Sequence, residues 1–95
     1  VLDRLRRLRD VRADPAAVER RVRFRLRDAQ QFAINHSLVD EWGSVLDAQA
    51  DRITRAGSAL DRIHPDFWDY LTQLEAVDRR IGEIVDRMRG QVAAR

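Results

Sequence analysis

Apolar side chains return along this chain every three or four positions, and the stretches they define are set apart by Pro15, by a short polar break at residues 35–37, and by Pro65. That period belongs to a helix with one buried face, so the pattern predicts helices throughout. Val1, Leu5, Leu8 and then Val11 or Arg12 form the first stripe, a short basic amphipathic helix over residues 1–13. Asp14-Pro15 then reads as an N-cap followed by proline at the first helical position, where its missing N–H costs nothing. The helix it opens runs over residues 14–36, with Val18, Val22, Leu26, Ala29 and Ala33 on one face and Phe32 widening it.

One stretch argues the other way. Arg20 to Asp28, RRVRFRLRD, alternates arginine with apolar residues as a half-buried strand would. The helical stripe accounts for about 20 residues and the alternation for seven, and a lone strand would leave its backbone groups unpaired, so the helix is preferred.

Ser37 with Asp40 three positions on has the form of a capping box. It opens a middle helix over 37–63, with Leu38, Trp42, Val45, Gln49, Ile53, Ala56, Leu60 and Ile63 on its inner face and Gly57-Ser58 as a second break point. The last helix covers 65–93, with Pro65 at its first position, His64 as a weak cap, Ile63 placed to staple against Trp68, and apolar residues from Phe67 to Val92. The glycines and prolines are read as falling where helices start or stop. Phe32, Val39, Leu46, Ile53, Leu60, Phe67, Leu74, Ile81 and Met88 also recur every seven residues. An ordinary antiparallel hairpin explains that run better than a long coiled-coil dimer, because Pro65 interrupts it. The expectation is a single all-α domain over 1–95, an antiparallel helical hairpin or small helical bundle completed by self-association.

Composition sharpens this. A chain of 95 residues, 44% apolar, hides only a little over ~60% of its unfolded surface, which is why a second copy is expected to complete the core. Cysteine is absent, which excludes disulfides, thiol catalysis and cysteine-ligated zinc. No apolar run approaches the roughly 20 residues of a bilayer span, and no charged-apolar-small signal pattern opens the chain; the expectation is a soluble, cytoplasmic protein. All 18 basic residues are arginine, which codon bias in a GC-rich genome explains as readily as bidentate chemistry does. Their distribution says more: residues 1–27 carry ten Arg against four acids, +6, and residues 28–95 carry eight against twelve, −4.

Arg4, Arg6, Arg7, Arg9, Arg12, Arg20, Arg21, Arg23 and Arg27 are therefore the candidate polyanion-binding residues, able to neutralise several phosphates without sequence choice. The plainer reading of the same residues is a solvated face balanced by nearby acids or docked on the acidic second half. Binding to a membrane surface is weaker still, since the first helix has a short apolar face without aromatics. Arg25 lies within its apolar stripe, and Asp78 is a lone carboxylate among Leu74, Val77, Ile81 and Val85. The two are expected to form a partly buried, register-fixing pair, and removal of Asp78 alone would then cost ~3 kcal/mol. Trp42, Phe67, Trp68 and Tyr70 are candidate core or interface anchors. His36 and His64 are too few and too far apart for a metal site, so neither a metal nor another cofactor or small-molecule ligand is inferred. No phosphate loop, nucleophile elbow or HExxH is present, and catalytic residues are expected to be absent.

Three short likenesses exist. Trp42-Gly43-Ser44 is similar to the turn of the WXG helical hairpins of type VII secretion, although the glycine follows the tryptophan directly. Leu26-Arg27-Asp28 resembles the Leu-His-Asp of histidine-kinase dimerisation hairpins with the phosphoacceptor missing. Leu74 to Met88 resembles the first helix of small chorismate mutases, without the active-site residues that would follow. Each covers a few positions, and the chain is assigned to none of these families. The expected function is a non-enzymatic protein–protein interaction or oligomerisation module, a homodimer or part of a larger complex, with an Arg-rich N-terminal face. The alternative is a nucleic-acid-binding protein gripping backbone phosphates with that face, and a compact all-α enzyme comes third.

Overall fold

The computed structural model describes residues 15–60, 63 and 65–95. The helix expected over 1–13, with Arg4, Arg6, Arg7, Arg9 and Arg12, and the cap assigned to His64 lie outside the described residues. Three helices follow in order: α1 (Pro15–Asn35), α2 (Val39–Ser58) and α3 (Phe67–Ala93). Arg20 to Asp28 lies within α1, so the helical period overrides the local alternation.

The chain forms an all-α helical bundle in which every helix packs against both others. Cross-links fix its topology. Gln30 of α1 reaches Asp47 of α2, and Trp42 of α2 reaches Gln91 of α3, pairings that antiparallel neighbours make; Arg25 of α1 meets Asp78 of α3, which sets those two helices parallel. The core is the set of stripes expected from the period: Val22, Leu26, Ala29 and Ala33 from α1, Leu46, Ile53 and Ala56 from α2, and Leu74, Val77, Ile81, Ile84 and Met88 from α3. Val18, Phe32, Trp42, Val45 and Val85 pack at its margin. Its large apolar side chains, each worth roughly 1.5–3 kcal/mol when withdrawn from water, hold the three helices together. The seven-residue run does not form one seam, because Val39 and Phe67, its members at the turns, are 46% and 43% exposed.

The boundaries differ from the sequence expectation at the caps. The Ser37/Asp40 capping box does not form: α2 begins at Val39 after Leu38, which makes no side-chain cap bond. Ser37 is committed instead to ending α1. It adopts a left-handed conformation, φ 59°, while Leu38 N–H donates to Ala33 O at 2.7 Å and Ser37 N–H donates to Ile34 O at 3.3 Å. Those two bonds are a Schellman motif, and Leu38, buried just beyond, supplies its hydrophobic contact. Helix α2 ends at Ser58, at the second break point, rather than running to residue 63. Pro65 is not the first residue of α3, because Asp66 takes the N-cap position and its Oδ1 accepts from Asp69 N–H at 3.0 Å, a stronger cap than histidine. Ile63 is 80% exposed, too open for a staple on Trp68. Gly43 falls inside α2 and Gly82 inside α3, not at a boundary, and Gly90 lies in the last turn of α3.

Candidate functional site

Helix α1 carries five arginines against two acids, +3, whereas α2 carries two against four, −2, and α3 four against five, −1. The positive charge of the described bundle is thus gathered on one helix, and packing divides its arginines by face. Arg25, beside the contact with α3, donates from Nη1 to Asp78 Oδ2 at 2.6 Å. The pair the sequence suggested is brought together, but the side chains keep 47% and 35% of their exposure, so it sits at the surface and not in a buried seam. Arg23 lies 3.4 Å from Glu19 one turn earlier, a weak, half-buried contact.

Glu19 has a second role. Its carboxylate faces the Tyr70 hydroxyl as a hydrogen-bonding partner, which brings the second turn of α1 against the first turn of α3. Burial, then the negative charge of Glu19 and that hydrogen bond, push the Tyr70 phenol above its ordinary value, with Arg23 opposing.

Arg20, Arg21 and Arg27 are left on the outer face of α1, all exposed. Arg21 and Arg27 make no hydrogen bond or ion pair within the described residues. Between them stands Phe24, 61% exposed although it is a large apolar side chain. At helical spacing Arg20 and Arg21 lie one turn before it and Arg27 and Asp28 one turn after, so three guanidiniums and one carboxylate surround the ring. Phe24 was not singled out from the sequence, yet a signal was there: it sits two positions from both Val22 and Leu26, which turns it away from their stripe.

The other sequence candidates separate cleanly. Tyr70 is buried, and Trp42 is half-buried with its indole N–H donating to Gln91 Oε1 at 2.9 Å while Gln91 Nε2 donates to Glu41 at 2.7 Å. Both are spent within the bundle. Phe67 and Trp68 stay 43% and 39% exposed at the start of α3. His36 is half-buried with its ring 4.3 Å from that of Phe32. Among the described residues no group of three or more potential metal ligands converges, and no helix is long and apolar enough to cross a membrane.

A groove of about 520 Å³ runs between α1 and α3, floored by Ala29, Ile81 and Gly82 and rimmed by Arg25, Asp28, Asp86 and Arg89. Two arginines balance two aspartates there, so its rim sets up no net field for a charged ligand. The buried polar atoms without partners, Gln49 Oε1 and Asp78 Oδ1, belong to residues that do not line it. The outer face of α1 therefore has the stronger chemical character. No protein-family model matches the chain, and no curated protein or solved structure matches it either.

Proposed function

We propose that the protein is a non-enzymatic helical interaction module, and that its working surface is the outer face of α1, which takes a polyanion. The observation that carries this reading is the exposed Arg21 and Arg27, without partners among the described residues, on the helix that holds the bundle's positive charge. Guanidiniums already engaged, as Arg25 is, would have to break a bond to bind, whereas these two give up hydration and side-chain freedom alone. Arg4, Arg6, Arg7, Arg9 and Arg12 precede the face in the chain and bring the net charge of residues 1–27 to +6.

Heparin serves as a generic polyanion for the test. Affinity should fall steeply with added salt, and Arg21→Glu with Arg27→Glu should weaken it by at least tenfold. Binding that ignores both reversals, or no binding at low salt, overturns the assignment of this face.

Self-association is the second reading. It is favoured by Ile63, Phe67 and Trp68, three exposed apolar side chains around Pro65 at one end of the bundle. Light scattering of the wild type and of Trp68→Ala tests it, with a dimer that the substitution dissociates as the expected result and a monomer across the concentration range as the refuting one.

A further inference from the structure

The polyanion reading leaves open which anionic polymer fits, and Phe24 narrows the choice. An acidic helix docking on α1 would need an apolar seam repeating at three, four and seven positions. The neighbours of Phe24 at that spacing include Arg20, Arg21, Arg27 and Asp28, all exposed, so a protein helix would find one ring and no seam. A sulfated polysaccharide has no flat apolar face to set against the ring. A duplex keeps its bases stacked on one another and offers chiefly phosphate. Single-stranded nucleic acid has both missing parts: phosphates for guanidiniums, and unstacked bases whose faces pair with an aromatic ring.

We infer that the outer face of α1 binds single-stranded nucleic acid, with Arg21 and Arg27 on backbone phosphates and the Phe24 ring as the platform for one base. This rests on the polyanion reading of the same face. Phe24 makes no ring contact within the described residues, whereas Phe32 and His36 do with each other, so no internal stacking is given up on binding. Such a platform accepts any base, because every base has a π-face, and selectivity is then for strandedness and not for sequence.

The test uses the full chain and a labelled oligothymidylate followed by fluorescence anisotropy, with the matching duplex and heparin as parallel ligands. The single strand should bind more tightly than the duplex. Phe24→Leu, which keeps an apolar side chain and removes the ring, should weaken single-strand binding by about tenfold and leave heparin binding as it was. Phe24→Trp should retain or tighten it, and so guards against a folding defect in the first variant. Arg27→Gln should lower the logarithmic salt slope by about 0.7, one phosphate's worth on a single strand, whereas Phe24→Leu should not move that slope. Equal affinity for strand and duplex, or oligothymidylate binding indifferent to Phe24→Leu, overturns the inference while leaving the polyanion face intact. Failure to bind heparin as well overturns both.

Discussion

Ser37 illustrates how one residue's backbone conformation outweighs its side-chain chemistry. A serine before an acidic first turn reads as a cap, but its φ of 59° places it in the left-handed region that side chains with a Cβ enter at a cost. Glycine has no such cost there, although it loses more freedom on folding. We predict that Ser37→Gly stabilises the protein by about 0.5–1 kcal/mol in chemical denaturation, because no serine hydroxyl bond to the α2 terminus exists to be lost. Destabilisation would mean that the hydroxyl has a structural role. Asp78 is the converse case. Its pairing with Arg25 was foreshadowed by two charges standing in apolar stripes, but both side chains stay partly in water. Asp78→Ala should accordingly cost no more than ~1 kcal/mol, the range of an exposed ion pair, in place of the ~3 kcal/mol expected for a buried one. Equilibrium unfolding in urea separates the two values.

At the scale of elements, α3 is the longest helix, 27 residues, and it carries two glycines, Gly82 and Gly90, within its length. A Cβ at Gly82 would meet Arg25 Nη2 at 3.7 Å, an ordinary contact, and at Gly90 would meet nothing within 4 Å. With neither position crowded, helix propensity decides the sign. Gly82→Ala should stabilise by about 1 kcal/mol and Gly90→Ala by less, because the last turn already frays. A rise in melting temperature for both, larger for the first, is the expected result. These glycines also mark where sequence reasoning reached its limit. The inner faces were legible because Leu46, Ile53, Leu74, Ile81 and Met88 recur at a period that only a helix satisfies, and each is almost wholly buried. Helix ends were not, because a cap depends on the path of the backbone: Ser37 closes the helix before it, and Asp66 displaces Pro65 as the start of the next. The candidate face was half legible. Its arginines stood out by number, and the Arg23–Glu19 pair follows from i,i+4 spacing within α1, but whether Arg25 is engaged by Asp78 depends on which helix lies beside α1.

The start of α3 meets α1 at a contact that titrates. The Tyr70 hydroxyl donates to Glu19 from a buried position, and burial, the carboxylate's charge and the hydrogen bond all hold its proton more firmly in the folded state. Below its ordinary value of 10.0 the phenol is neutral folded or unfolded, and this contribution is fully present. Above that value the unfolded chain releases its proton first, so stability falls as pH rises, until the folded phenol ionises too and the loss is complete. Tyr70 is the single tyrosine in the chain, which lets tyrosinate absorbance follow this group alone. The titration midpoint of the folded protein should lie above 10.0, and stability measured across the same alkaline window should decline in the wild type. Tyr70→Phe should start somewhat less stable at neutral pH, having lost the bond to Glu19, and should then show a flatter profile through that window. A decline equally steep in both proteins would place the alkaline sensitivity elsewhere and remove the Glu19–Tyr70 tie as its cause.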